Sequence, residues 1–218
     1  MVEGVKYDPR LYSYIETALG GTPQIKSIYS DKSVFSRRAG WNNKLNFNIA
    51  TFQNTPKKGM TIYATLGLSE YLLRDDQNSK PPRRVELVSI LRDDTDFDEL
   101  TGDSEDKENF YEDQLMYLCC YMVNENSYLY PGDVWKMYFS NAYEQFSDME
   151  HLFFMTPTFL SNKFQSTTIG EKEIDWLLCV PISDEELGFY EKNGAKALEE
   201  LLVKRKVDVS DLFRKSVI

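Results

Sequence analysis

The fold is decided by the stretch Ile174-Asp175-Trp176-Leu177-Leu178-Cys179-Val180-Pro181-Ile182-Ser183-Asp184-Glu185-Glu186. Its first nine residues are mostly apolar and include β-branched and aromatic side chains, which predicts the clearest strand of the chain. Ser183 with Glu186 three residues later forms a capping box, the pattern that begins a helix. Apolar residues then recur at helical spacing, so one helix is predicted from this cap to about Arg205.

Further strands and helices are predicted on both sides of a charged central region. Asp8 as N-cap, Pro9 at the first helical position and Gly20 as a stop signal predict a first helix. A central helix is predicted over about residues 107–123 from its apolar spacing. Five more segments have strand character and are bounded by turn residues: 24–29, 45–51, 60–66, 85–91 and 152–155.

The order of these elements predicts the fold class. Strands and helices mix without strict alternation, which favours an α+β fold over a doubly wound one. We expect a single domain over residues 1–218, with a mixed, largely antiparallel β-sheet packed by helices.

The composition indicates a cytoplasmic protein. No stretch approaches the roughly 20 apolar residues that span a bilayer, and the chain start lacks the apolar core of a secretion signal. Three cysteines, Cys119, Cys120 and Cys179, cannot all pair internally, so we expect a reducing compartment with all three in the core.

Charge is concentrated in one part of the chain. The net charge is −10, which argues against direct binding to nucleic acid or to anionic membranes. Residues 93–113 contain eleven acidic residues and one base, Lys107. This window therefore carries the whole excess of negative charge, and the charges of the remaining residues sum to zero.

The sequence offers little for catalysis. His151 is the single histidine and precedes an apolar run, a position typical of a structural residue. No Gly-x-Ser-x-Gly, phosphate-binding loop or Cys-x-x-Cys is present. We therefore expect no enzyme activity and no cofactor.

The acidic window has three interpretations. Asp94, Asp96 and Asp98 alternate and Glu105 falls eleven residues after Asp94, as in a calcium loop, although Glu99 stands where such a loop needs glycine. The window is otherwise a solvated loop or a docking surface for a basic partner, which would relieve the repulsion among its carboxylates. Tyrosines, which anchor protein interfaces or fill cores, follow the window at positions 111, 117, 121, 128 and 130.

Several segments resemble the suppressor-of-fused-like domain family over about residues 60–218. They are Tyr63-Ala64-Thr65-Leu66-Gly67-Leu68-Ser69, Arg84-Val85-Glu86-Leu87, Pro131-Gly132-Asp133, the stretch from Trp176 to Leu187, Gly194, Asp208 and Arg214-Lys215-Ser216-Val217. The resemblance implies a protein-binding domain without a catalytic centre. In such a fold, Gly67 and Gly194 would allow backbone turns or close packing, and Glu86 would pair with an arginine such as Arg84.

The family's animal protein restrains a zinc-finger transcription factor, whereas its stand-alone bacterial members look like immunity proteins of polymorphic toxin systems. This chain lacks the long additional C-terminal region of the animal protein, so it resembles the bacterial type. We expect an antitoxin that binds a cognate toxin protein, basic and nuclease-like, and the alternatives are a regulatory scaffold for an endogenous cytoplasmic partner or a small enzyme or calcium-binding module. The predicted contact residues are Asp94, Asp96, Asp98, Glu99, Asp103, Glu105, Asp106, Tyr128 and Tyr130.

Overall fold

One mixed sheet organises the chain in its computed structural model, which describes residues 7–31, 39–41, 44–74, 81–101, 110–141, 143, 146–158, 160, 164 and 166–218. Within these residues the sheet has eight strands. They are β1 (Gln24–Tyr29), β2 (Asn46–Gln53), β3 (Met60–Leu66), β4 (Arg84–Arg92), β5 (Val134–Trp135), β6 (His151–Met155), β7 (Thr167–Ile169) and β8 (Lys172–Ile182).

The strand order is β1-β2-β3-β4-β8-β6-β5, with β7 paired to β8 outside this path. β4 and β8 run parallel, with Val88 opposite Leu178, whereas the other pairs of these named strands are antiparallel. The predicted α+β class with a largely antiparallel sheet is therefore confirmed.

Helices cover both faces of the sheet. The described residues form α1 (Pro9–Leu19), α2 (Phe97–Thr101), α3 (Phe110–Asn124), α4 (Asp184–Asn193) and α5 (Ala195–Arg205). α3 packs on one face, against side chains such as Phe47 and Leu177. α1 and α5 pack on the other face through residues such as Leu11 and Leu198. Side chains of β4 and β8 contribute to both cores, so these two strands are buried on both faces.

The chain after β8 forms two helices where the sequence predicted one. The capping box is present, because Ser183 accepts from the Glu186 amide while the Glu186 side chain accepts from the Ser183 amide. The single helix predicted to Arg205 is wrong, since Gly194 has φ 85° and ψ 168° and separates α4 from α5. Glycine adopts this conformation without steric cost. The helical spacing of the apolar residues before and after Gly194 does not reveal that the helix is interrupted there.

Short elements escaped the sequence prediction. β5, β7 and α2 have two, three and five residues, too few to show a hydrophobic period. The central helix begins at Phe110 among the described residues, and positions 107–109 of the prediction lie outside them. The turn that joins β2 to β3 has φ 55° at Asn54 and 81° at Gly59.

A buried carboxylate ties the turn after β3 to β4. Glu86 is fully buried and accepts hydrogen bonds from the Thr65 hydroxyl (2.6 Å), the Gly67 amide (2.9 Å), and the amide and hydroxyl of Ser69 (3.0 and 2.7 Å). The predicted pairing of Glu86 with Arg84 is wrong, because the Arg84 guanidinium donates to the Ser69 carbonyl instead. Burial raises the pKa of Glu86 to about 7, although hydrogen bonds from Thr65 and Ser69 lower it. The predicted turn at Gly67 is present, with φ 112°.

A second buried carboxylate fixes the C-terminal segment. The Arg214 guanidinium donates to both oxygens of Glu186, at 2.6 and 2.7 Å, and to the Pro181 carbonyl. The Val217 amide donates to the same carboxylate. Because Glu186 is fully buried and the Arg214 side chain is 7% exposed, this ion pair holds residues 214–217 against the start of α4.

All three cysteines are free and buried, as predicted for core residues. In the part of the chain that the structure describes, no helix combines the length and apolar character needed to cross a membrane.

Replacing Glu86 by glutamine should remove a pH dependence of stability. The pKa of Glu86 is about 7 in the folded protein against 4.5 for a free side chain, so the wild-type protein loses stability as pH rises through this interval. Between pH 5 and 7.5, the unfolding free energy of the wild type should fall by about 2 kcal/mol relative to Glu86→Gln. Urea titrations at both pH values measure this, and parallel pH curves would contradict the assignment.

Replacing Arg214 by methionine should strongly destabilise the fold. The substitution leaves the Glu186 carboxylate buried without its cation, which typically costs about 3–5 kcal/mol. The control is Arg10→Met, because Arg10 is 66% exposed and its pair with Asp8 is screened by solvent. Thermal unfolding should show a large drop for Arg214→Met and little change for the control. Equal drops in the unfolding temperature of the two variants would mean that burial of the Glu186–Arg214 ion pair does not add to its effect on stability.

Candidate functional site

The described part of the acidic window forms a fixed structure at the end of β4. Asp96 accepts hydrogen bonds from the amides of Asp98 (2.9 Å) and Glu99 (3.2 Å) and so caps α2. Leu100 is 1% exposed, and the ring centroid of Phe97 lies 5.4 Å from that of Phe110 on α3. These contacts anchor α2 on the core, so the acidic side chains project from a defined backbone.

Charges in this segment are partly compensated. Arg92 donates to both carboxylate oxygens of Asp94, at 2.9 and 2.8 Å, and to Asp211 at 3.0 Å. The hydrogen bond from Arg92 lowers the pKa of Asp94 below its usual value. Asp96, Asp98 and Glu99 are exposed, as is Asp94. Three other predicted contact residues, Asp103, Glu105 and Asp106, lie outside the described residues.

The local geometry does not favour a cation site. Asp94 is engaged by Arg92 and Asp96 by backbone amides, so both carboxylates already have donors. Among the described residues, no group of three or more metal-ligating side chains occurs. A neighbouring cleft of about 510 Å³ has a lining of mixed charge, formed by Lys57, Lys58, Gly59, Met60, Arg92, Asp93, Asp94 and Asp208.

The two predicted contact tyrosines lie elsewhere. Tyr128 is 4% exposed, and its hydroxyl donates to Asp175 at 2.7 Å. Tyr130 is half-buried, with its ring centroid 4.6 Å from that of Tyr128. Burial alone would raise the pKa of Asp175, but hydrogen bonds from Ser166, Tyr128 and Arg83 hold it below its usual value. Tyr128 thus supports the interior of the fold.

The acidic residues and these tyrosines do not form one patch. Asp175 lies opposite Val85 at the start of β4, whereas Asp94 follows the end of the same strand. β4 has nine residues, or about 26 Å at about 3.3 Å per residue. The structure therefore separates the two halves of the predicted contact set.

A different group of aromatic residues lies on the α3 side of the sheet. The ring centroid of Trp135 is 4.4 Å from that of Tyr121 and 5.9 Å from that of Tyr117, while Trp41 lies 5.4 Å from Tyr117. All four side chains are half-buried. We call Trp41, Tyr117, Tyr121 and Trp135 the aromatic strip.

Acidic side chains flank the aromatic strip. Asp113 precedes Tyr117 by four residues on α3, and Glu125, the residue after the end of α3, follows Tyr121 by four, so these positions continue the same side of the helix. The start of α3 also contacts α2 through Phe110. The aromatic strip is therefore connected through α3 to the acidic segment.

Met137 lies two residues beyond Trp135 in a left-handed conformation. Its φ is 53° and it is 51% exposed, although left-handed backbone costs a residue with a side chain about 1–2 kcal/mol. Its amide donates to Nδ1 of the buried His151 at 2.8 Å, and Nε2 of His151 lies 2.8 Å from Oδ1 of Asp184. His151 therefore has the structural role predicted for it, which is to hold this turn.

Sequence reasoning identified only part of this surface. The i, i+4 spacing of Tyr117 and Tyr121 was visible within the predicted helix. Trp135 belongs to a two-residue strand, and no local pattern predicts that it packs on α3. The exposure of Met137 depends on a backbone angle that the sequence does not indicate.

Comparison with known proteins gives consistent matches. The family model described as suppressor of fused protein (SUFU) matches residues 44–215. Immunity protein YqcF of Bacillus subtilis (strain 168) is 28% identical over 201 residues, which cover 92% of each chain.

Solved structures share the fold. A putative suppressor of fused homologue from Neisseria gonorrhoeae FA 1090 aligns with a TM-score of 0.62 and 14% identity, over 99% of this chain and 98% of the other. A chain from the Sufu–Fu complex aligns with a TM-score of 0.61 and 13% identity, over 92% and 85%. At this identity the two structures support the fold.

The unusual backbone at Met137 generates a stability prediction. Met137→Gly relieves the left-handed strain but adds glycine's entropy cost of about 0.5–1 kcal/mol, so the free energy of unfolding should change by less than about 1 kcal/mol. Met137→Val should lower it by more than 1 kcal/mol, because a β-branched residue fits this conformation poorly. Urea unfolding of both variants measures the difference. A valine variant as stable as the wild type would argue against a left-handed Met137.

Proposed function

The chain belongs to the suppressor of fused protein family, and from that premise we propose that it is an immunity protein, which binds a toxin protein and blocks its action. The observation that carries the proposal is the likeness to immunity protein YqcF along nearly the whole of both chains. Such a role requires a binding surface and no catalytic group, which agrees with the structural use of the single histidine.

The partner that fits best is a basic toxin, and a nuclease is the natural class. Nuclease surfaces are basic because they hold phosphates. The net charge of −10 and the exposed carboxylates of Asp96, Asp98 and Glu99 complement such a surface. In this mechanism the carboxylates occupy positions that the phosphates of nucleic acid would otherwise take.

Rigidity strengthens this mechanism. The Asp96 cap and the buried Leu100 fix the backbone of α2 before any partner binds. A preformed set of charges lowers the entropy cost of association. Complementary charge accelerates encounter, with association rate constants up to about 10⁸ M⁻¹s⁻¹ at low salt.

A regulatory scaffold is the second candidate. The fold similarity to a chain of the Sufu–Fu complex favours it, because that protein is solved bound to a protein partner. The two functions differ in the partner, which is a toxin in the first case and an endogenous regulatory protein in the second.

Protection in the cell tests the proposal directly. A candidate toxin, chosen from the polypeptides encoded beside this gene, is expressed in a sensitive host with and without this protein, and survival is counted. Rescue, with a stable complex of the purified proteins, supports an immunity function. Absence of rescue, together with recovery of a housekeeping protein on immobilised bait, favours the scaffold.

Reversing charge on α2 should slow association. Asp98→Lys/Glu99→Lys should lower the association rate constant for the toxin about tenfold at low salt, because it removes attraction at the contact. Stopped-flow measurements at low and moderate salt give the rates.

The matched control is Glu171→Lys/Glu173→Lys, which makes the same change in net charge among exposed residues at the start of β8. It should alter the rate less than twofold. Equal slowing by both variants would show that only net charge matters and would remove α2 from the interface.

A further inference from the structure

We propose that the aromatic strip together with Met137 is the central contact for the toxin, and that it receives a basic segment of the toxin whose arginine or lysine side chains lie against the rings. This inference rests on the proposed immunity function and adds the surface and the chemistry of the bound segment. The acidic α2 then forms one border of the interface.

The residue types fit the centre of an interface. Tryptophan, tyrosine and methionine are enriched in interface cores, and tryptophan and tyrosine are frequent among the residues that carry most of the binding energy. Trp41, Tyr117, Tyr121 and Trp135 pack on one another and are half-buried, so their rings are ordered before binding. A partner therefore gains aromatic contact at a low entropy cost.

Met137 supplies an observation that packing does not explain. Of the four described residues other than glycine with positive φ, two are asparagines, and Lys206 ends α5 as its C-cap. Met137 is the apolar member of this set and is 51% exposed. The strained backbone of Met137 is held by the hydrogen bond from its amide to buried His151. A strained backbone that presents an apolar side chain to solvent is typical of a functional position.

Charge favours a basic occupant. The exposed Glu125 follows the two tyrosines just beyond the end of α3, and the exposed Asp98 and Glu99 lie on α2, which adjoins the start of α3. The nearby cations Lys26 and Lys136 are paired with Glu112 and Glu191, respectively. A guanidinium or ammonium group over the face of Trp135 or Tyr121 gains a cation–π contact in addition to attraction to these carboxylates.

α3 is long enough to cross most of an ordinary protein interface. α3 has fifteen residues, or about 22 Å at 1.5 Å per residue, and α2 adjoins its start. A standard interface buries about 800 Å² on each partner, roughly 30 Å across. A second copy of this chain fits less well, because it would bring acidic residues against acidic residues.

The test compares dissociation of the toxin polypeptide used in the protection assay from the wild-type protein and from Met137→Gly. The glycine variant keeps the backbone and removes only the exposed side chain, so dissociation should accelerate at least tenfold, with the association rate changed less than twofold. Met137→Lys should accelerate dissociation further, because it places a like charge beside the basic segment. Lysine occupies a similar conformation at position 206, where φ is 52°.

The control is Val203→Ser, which removes a 48% exposed apolar side chain from α5 on the opposite face of the sheet. It should leave both rates within twofold of the wild type. Surface plasmon resonance gives the rates, and circular dichroism verifies folding.

The outcomes separate the two proposals. Unchanged dissociation in both Met137 variants, while the wild type binds and protects, overturns the assignment of this surface and leaves the immunity function standing. Tighter binding by Met137→Lys overturns the basic character of the bound segment. A wild-type dimer that Met137→Gly dissociates shows that a second copy occupies the surface, and absence of wild-type binding overturns the immunity function as well.

Discussion

The parallel pairing of β4 with β8 is the constraint on which the rest of the structure depends. Both strands are buried on both faces, so each contributes side chains to the core beneath α3 and to the core beneath α1 and α5. The start of this ladder lies beside Tyr128 and Asp175, and its end leads into α2 from β4 and into α4 from β8. The two ends of β4, about 26 Å apart, are thereby fixed relative to each other.

Two buried carboxylates stabilise the segments beside these two strands, in chemically different ways. Glu86 binds the turn that packs on β4, and Glu186 binds the C-terminal segment at the start of α4, after β8. Glu86 receives neutral donors from the turn that follows β3, and its raised pKa reflects burial without a cation. Glu186 receives a bidentate guanidinium from Arg214, which neutralises its charge. The difference follows from the partners available, since a turn of backbone amides surrounds Glu86 whereas the C-terminal segment brings Arg214 to Glu186.

Local sequence patterns predicted the elements that are long and periodic. The strand before Ser183, the Asp8 cap and the central helix carry their signals within one segment, so they were found. The candidate surface was harder to predict because it is assembled from distant parts of the chain. Tyr117 and Tyr121 showed helical spacing, but Trp135 reaches them only through the order of strands in the sheet. The separation of Tyr128 from the acidic residues has the same origin.

The long-range pairing of β4 has a consequence for synthesis of the protein on the ribosome. Val88 and Leu178 are opposite each other but about 90 residues apart in the chain. Because translation adds about 5–20 residues per second, several seconds pass between the synthesis of β4 and that of β8. During that time one edge of an apolar strand remains unpaired, which exposes the nascent chain to aggregation. The Glu186 carboxylate gains its ion-pair partner only when Arg214, a further 28 residues along the chain, has been synthesised. A protein built in this way completes its fold only after Arg214 has been synthesised.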